Sequence, residues 1–428
     1  MITSSATRPD RRQVVAWALW DWGSAAFNAI IVTFVFTVYL TDAVAVDADS
    51  GSQALGVALT IAGVIVALTA PVTGLRSDAG GRRKLWLGVH TALVVACTAG
   101  LFFVREDPSY LALGLVLIAV GTVFSEFAGV NYNALLVRIS TRETIGRVSG
   151  FGWGMGYFGG LVALTFVLFA FIQPEIGLFG VTSDDGLNIR VVAIFSAVWF
   201  AVFALPLFFI VPEPPPSGEA VARQSLRTSY AVLGRRIARM WRAERRTLWF
   251  LAASAVYRDG LTAVFTFGGV IAAGTFGFSN TQVVIFAIAA NLTAGIGAVL
   301  GGRLDDRLGP KTVIIVSLAA LVVVGTAITM FSGAATFWVC GLVLACFVGP
   351  AQSASRTFLA RIVTPEREAE AFGLYATTGR AVSFLGPLAF SGFIAIFGSQ
   401  RAGMAGIVLV LLLGLLAILP VRAPEKQP

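Results

Sequence analysis

Apolar runs about as long as a membrane is thick recur along this whole chain, and they restrict it to folds that live in lipid. Uninterrupted runs occupy Ala54 to Leu75, Leu85 to Val104, Val191 to Val211, Thr312 to Phe331 and Ala402 to Val421. Each approaches the ~20 residues that carry a helix across a ~30 Å hydrocarbon core. Longer runs with a few polar residues lie between them: Val14 to Val44, Leu111 to Val137, Val148 to Ile172, Leu248 to Ala273, Gln282 to Leu300, Ala335 to Ala354 and Ala371 to Phe397. Twelve spans follow. In hydrocarbon an open strand leaves N–H and C=O groups without partners, whereas a helix bonds them internally, so the spans are expected to be α-helices. With 13% charged residues in 428, against the ~25% of soluble domains, the chain has too few charges for a soluble globule.

The net charge of +8 would suit nucleic acid if it formed a patch, but its placement points elsewhere. Of 31 Lys and Arg, 26 fall before the first span, in alternate loops or after the last span. The opposite loops hold only Arg105, Arg190 and Arg401, and Arg258 and Arg380 lie inside spans. This is the positive-inside bias, which places both termini in the cytoplasm and supports an even span count. The expected location is a cytoplasmic (inner) membrane, with lipids as neighbours and no nucleic-acid partner. Arg8, Arg11 and Arg12 before an apolar run imitate a signal peptide, but the run is too long and contains Asp21, so it reads as an uncleaved first span. Cys97, Cys340 and Cys346 all lie in apolar spans and read as packing residues.

The chain also repeats itself. A shift of 223 residues superposes Arg138-Ile139 on Arg361-Ile362, Thr141 on Thr364, Glu143 on Glu366, Gly150 on Gly373 and Gly156 on Gly379. After the second span Gly74, Asp78, Gly81 and Arg83 share their spacing with Gly302, Asp306, Gly309 and Lys311 after the eighth. Duplicated halves with a substrate site at their interface are a common transporter design. The expected units are a six-helix bundle at 1–211, a basic cytoplasmic linker at 212–246 and a second six-helix bundle at 247–428. Pro212-Glu-Pro-Pro-Pro216 opens the linker as a stiff segment. Leu226, Tyr230, Leu233, Ile237 and Trp241 then recur at helical spacing among eight arginines, the pattern of an amphipathic helix on an anionic leaflet.

The Gly-x-x-x-Asp-x-x-Gly-x-Arg/Lys loops resemble the signature of the major facilitator superfamily, over essentially the whole chain. Trp17-Ala-Leu-Trp-Asp21-Trp22 with Phe27, Gly152-Trp153 with Gly156-Tyr157, Tyr257-Arg258-Asp259-Gly260, and Ser355-Arg356 with Phe372-Gly373-Leu374-Tyr375 resemble the vacuole-effluxer-like, autophagy-related branch. The resemblance implies a two-domain carrier that works by alternating access, with spans one, four, seven and ten lining the cavity. Its best-known relatives export amino acids from fungal vacuoles. Ser24 and Ala25 stand where the branch pattern has Asn and Ser, a departure beside Asp21 that bears on the substrate.

A charge at the bilayer centre costs at least ~2.5–3.5 kcal/mol on insertion scales, so intramembrane charges are functional candidates by default. Asp21, Glu126, Arg258, Asp259 and Arg380 are the five here. At 1.5 Å per residue, Asp21 and Glu126 lie roughly 10 Å inside the membrane, and Arg258 and Arg380 roughly 14–15 Å. Residues 258 and 259 diverge by about 100° around a helix, so one of them faces the cavity, and Arg258 is the expected one. Asp21 and Arg258 either form a gate salt bridge or contact solute. Ser24 and Asn28 follow Asp21 on one helical face, and Trp153, Tyr157 and Gln352 complete the candidate solute-binding set. Asn291 and Ser353 either line the cavity or bond between helices.

Glu126 has no basic residue within a turn of its own helix, which makes it the better candidate proton carrier, with Asp21 second. Asp78, Arg83, Asp306 and Lys311 are candidate gating residues, the two carboxylates seated against the helix N-termini of spans eleven and five. One histidine, His90, and no Cys pair argue against a soft metal site, and no nucleotide loop is present. No cofactor is expected, and the chain is expected to act as a monomer.

The sequence therefore points to a secondary carrier for a small polar or zwitterionic molecule, energised by protons or by the solute's own gradient. The alternatives are an exporter of an amphipathic drug or lipid-like compound, which the aromatic residues Trp20, Trp22, Phe27 and Trp153 would suit, and a non-transporting sensor. No nucleophile–base or metal constellation of an enzyme is visible.

Overall fold

The computed structural model describes residues 10–80, 83–139, 145–213, 244–363 and 368–422, with four isolated positions between 214 and 243. The expected amphipathic linker helix and the loop after span ten lie largely outside the described residues. The described residues form helices joined by short loops, with no strand among them. They are α1 (Arg11–Val44), α2 (Ala48–Gly80), α3 (Arg83–Gly100), α4 (Leu111–Ile139), α5 (Ile145–Val167), α6 (Leu187–Ile210), α7 (Arg245–Gly274), α8 (Asn280–Leu308), α9 (Pro310–Met330) and α10 (Ala334–Ile362). After these come α11, in two segments Glu368–Ala381 and Leu385–Phe397, and α12 (Gln400–Ile418). Eleven of the twelve are long and apolar enough to cross a membrane. The other, α7, has 30 residues but carries Arg258 and Asp259 in its middle.

Local chemistry sets the helix ends. The Asp10 carboxylate accepts from the Arg12 N–H at the start of α1, and Ser279 and Gln282 form a reciprocal capping box at the start of α8. Gly309, at φ +85°, ends α8 in a conformation other residues avoid, and Pro310 opens α9 where its missing N–H costs nothing. Pro387 explains the break in α11: it cannot donate to the carbonyl one turn back, so the helix is interrupted at residues 382–384.

The six helices of each half pack in the same way. In the first half α1 lies against α5 and α6, α3 against α4, and α2 against α4; in the second α7 lies against α11 and α12, α9 against α10, and α8 against α10. A lysine performs the same fastening in each. Lys84 Nζ donates to the Val211 carbonyl at the end of α6, and Lys311 Nζ donates to the Leu419 carbonyl at the end of α12, 2.8 Å away. By sequence spacing Lys311 pairs with Arg83; by contact its equivalent is Lys84. The bond Lys311 makes is internal to its half, whereas the side chains of Asp78 and Asp306 lie outside the described residues. Asp305 forms an ion pair with Arg361 at 3.5 Å, again inside the second half.

Between the halves α1 meets α7, α2 meets α11 and α12, and α5 meets α8. Small residues set this approach. A Cβ at Gly63 of α2 would lie 2.9 Å from Phe384 at the break in α11, one at Gly56 would lie 2.7 Å from the Ser391 Cβ, and one at Gly269 of α7 would lie 2.7 Å from the Thr33 carbonyl of α1. The Gly56 and Gly269 contacts sit toward the face where α1 ends and α2 and α12 begin, here termed the far face, and the Gly63 contact lies deeper, at the break in α11.

Glycine also seats α1 in its own half. A Cβ at Gly159 of α5 would stand 2.6 Å from the Trp22 carbonyl, while Gly154 on the same helix faces open space. Gly159→Val is therefore expected to destabilise the protein by about 1–3 kcal/mol, the usual cost of overpacking, and Gly154→Val to leave it unchanged. Thermal unfolding of the two variants in detergent checks this.

Candidate functional site

The site starts on α1. Asp21, Ser24 and Asn28 lie three and four residues apart, so they share a helical face, and all three line one cavity. The Ser24 hydroxyl donates to the Asp21 carbonyl at 3.0 Å, and the Asn28 amide donates to the Ser24 carbonyl at 3.2 Å. From Ala26 to Phe34 the helix widens to π geometry, and the Thr33 hydroxyl takes up the Asn28 carbonyl at 2.7 Å. Such widenings occur frequently at functional positions. The Asp21 carboxylate faces α5, where a Cβ on Gly156 would touch it at 3.4 Å.

An aromatic stack fixes the wall beside it. Tyr132 of α4 is stacked between Trp17 and Trp20, with ring centroids 4.5 Å and 4.4 Å away. The two indole N–H groups are anchored: Trp17 donates to the Tyr132 carbonyl and Trp20 to the Thr91 hydroxyl, both at 3.1 Å. The Tyr132 hydroxyl is buried without a hydrogen-bond partner among the described residues.

The second half enters the cavity through Arg380 of α11. Its Nε lies 3.0 Å from Glu126 Oε2 on α4, an ion pair that joins the two halves. Gly129, one turn from Glu126, makes room for the guanidinium: a Cβ there would lie 3.2 Å from Nη2. The sequence pattern left Glu126 without a cation because it can show only neighbours on the same helix. The structure supplies one from 254 positions away, so the ground for ranking Glu126 above Asp21 as proton carrier is gone. Among the described residues Asp21 makes no ion pair.

Arg258 and Asp259 act as a clamp on α11. Arg258 lies 3.8 Å over the Tyr375 ring and donates to the Tyr375 carbonyl at 3.0 Å, before the break. The Asp259 carboxylate accepts the Gly386 N–H at 2.5 Å, after the break. Adjacent residues on α7 thus secure the two segments on either side of the break, the first of which carries Arg380. Arg258 does not meet Asp21 in this structure.

The remaining candidates scatter. Tyr157 interacts electrostatically with Asp21 and with Arg356 of α10, and Arg356 in turn with Tyr375 and Arg258. Arg356 stands two positions past an apolar run, where a cation reads as a loop residue, but α10 continues through it to Ile362. Gln352 is half-buried and Ser353 exposed on α10, while the Asn291 amide donates to the Ala287 carbonyl of its own helix at 2.8 Å. The Trp153 side chain lies outside the described residues. His90 is buried among Trp86, Phe124 and Phe127. Among the described residues no group of His, Cys, Asp and Glu is placed to hold a metal.

A family model described as "Vacuole effluxer Atg22 like" matches residues 137–427. The uncharacterised MFS-type transporter YxiO of Bacillus subtilis is 25% identical over 421 residues, 95% of this chain and 94% of that protein. Autophagy-related protein 22 of Cryptococcus neoformans is 26% identical over 286 residues, 63% of this chain but 51% of its own length, so the match spans about half of the fungal relative. Among solved structures, a mutant of the nucleoside transporter NupG superposes with TM-score 0.66 at 14% identity, covering 95% of this chain and 98% of that one. The inward-open xylose transporter XylE of E. coli gives 0.66 at 12%, covering 97% and 96%. Likeness at that level of identity shows the shared major facilitator fold.

The Glu126–Arg380 pair is open to a double-mutant cycle. Both side chains are partly exposed, at 43% and 20%, so a coupling energy at the low end is expected, about 0.5–1 kcal/mol. Glu126→Gln, Arg380→Gln and the double variant, compared by thermal unfolding, measure it. Additive effects would show that the pair contributes nothing.

Proposed function

The chain belongs to the vacuole effluxer Atg22-like family of major facilitator transporters, and from that premise we propose that it moves a small polar or zwitterionic solute by alternating access. One observation carries this: Asp21, Ser24, Asn28, Glu126 and Arg380, drawn from both halves, surround a single cavity. A site made of both halves changes when the halves rock, so binding and access are linked. Carboxylate and guanidinium groups in one cavity suit a solute that carries both signs of charge, since each end finds a charge-assisted hydrogen bond. The state described here is the one closed at the far face, which the arginine distribution assigns to the outside of a cytoplasmic membrane.

Asp21 is the proposed seat of a coupled proton. Glu126 has Arg380 to balance its charge, whereas Asp21 is walled by Trp17, Trp20 and Tyr132, with no cation bonded to it among the described residues. A group of this kind can differ in proton affinity between two access states, which is the condition for coupling. The pair on α4 and α11 then serves as a link between the halves.

The aromatic wall of the same cavity favours a second reading, export of an amphipathic compound. Purified protein in liposomes separates the two. Saturable counterflow of a small zwitterion supports the first, and flux confined to amphipathic compounds supports the second. Asp21→Asn is expected to abolish pH-driven accumulation while sparing counterflow, which needs no net proton movement. Intact uphill transport in that variant would remove Asp21 as the proton carrier, and absence of any flux from the unmutated protein would leave a non-transporting sensor.

A further inference from the structure

At the far face, one buried glutamine ties the two halves together. Gln400 opens α12, follows the Ser399 cap, and is only 2% exposed. Its backbone N–H, one of those that a helix N-terminus leaves without an internal partner, donates to Asp49 Oδ1 in the first turn of α2 at 2.5 Å. Its side-chain Nε2 donates to the Ala48 carbonyl at 3.0 Å and to the Ser52 hydroxyl at 2.6 Å, both also on α2. The Gln400 Oε1 accepts from the Thr275 hydroxyl at the end of α7, 3.0 Å away. Three bonds therefore cross from the second half to the first, and a fourth orients the amide from within its own half. Space for the amide depends on Gly274, where a Cβ would overlap both Oε1 and Nε2.

We propose that Gln400 is the latch of the far-face gate, a polar lock that holds this side closed and is exchanged for water each time it opens. The inference rests on the alternating-access function proposed above. The bonding pattern suits a latch better than permanent glue. A buried amide whose donors and acceptor are all matched fixes one register of α2 against α12 and α7, because any slip leaves a polar group unpaired. On opening, the same groups regain bonds to water, so the net cost of release stays small. The glycine-lined seam beneath it, Gly56 on Ser391 and Gly63 on Phe384, supplies close packing without directional bonds.

The test uses full-length protein in proteoliposomes, with Cys97, Cys340 and Cys346 replaced by Ser. Ser391→Cys is the reporter, because Ser391 is 3% exposed and faces Gly56 across the seam, out of reach of solvent while the far face is closed. A membrane-impermeant maleimide is added from the far side. Gln400→Ala is expected to raise the labelling rate about tenfold or more, since the closed state loses bonds that the open state never had. Gln400→Asn, too short to reach the same partners, is expected to behave similarly. Gly63→Trp, a wedge between α2 and α11 deeper in the seam at Phe384, removes no group of the latch, leaves the reporter's own contact alone and is the control. Labelling with the wedge but not with Gln400→Ala overturns the latch and leaves alternating access standing. Labelling with neither overturns both. A retained cooperative thermal unfolding transition in each variant confirms that any labelling reports gate opening and not loss of fold.

Discussion

A charge inside an apolar helix bundle has to find a partner, and the architecture of this protein follows from how its few intramembrane charges find theirs. Glu126 on α4 and Arg380 on α11 meet at 3.0 Å across the division between the halves. Removing either partner takes away the ion pair that joins α4 to α11 there. Arg258 and Asp259 are spent differently: both are engaged by α11, one on each side of its break. The segment that carries Arg380 is thus held at Tyr375 by α7 of its own half, and whatever moves Arg380 moves α11. Because α11 also forms the seam with α2 at Gly63 and Gly56, the central ion pair and the far-face seal share one mechanical element.

Asp21 stands apart from this arrangement. It lines the same cavity as the aromatic stack of Trp17, Tyr132 and Trp20, one turn from Trp17 in a stretch of α1 that turns into π geometry within two turns. The stack has no freedom to rotate, since both indole N–H groups are anchored. Beside that wall the Tyr132 hydroxyl is buried with no partner among the described residues.

Much of this fold is legible in the sequence, for a plain reason. In lipid the backbone permits little besides helices, so the position of each apolar run fixes an element, and the bias of Arg and Lys fixes its direction. The face shared by Asp21, Ser24 and Asn28 follows from helical spacing alone. Contacts between distant helices do not, because they depend on how each helix is rotated. The Glu126–Arg380 pair, the Gln400 bonds to α2 and the equivalence of Lys84 with Lys311 are all of this kind. Arg356 illustrates a second limit. A cation just past an apolar run looks like a loop residue, yet α10 continues to Ile362 and carries it inward to Arg258 and Tyr375.

The central claim is that the halves rock about the cavity, so that one face opens as the other closes. Pulsed electron paramagnetic resonance between paired spin labels tests it most directly. Val46→Cys with Asn280→Cys spans the far face, and Arg12→Cys with Arg307→Cys spans the opposite one; all four positions are exposed. Alternating access predicts two distances for each pair, whose populations shift in opposite directions when pH or solute is changed. A single, unchanging distance at both faces would contradict it.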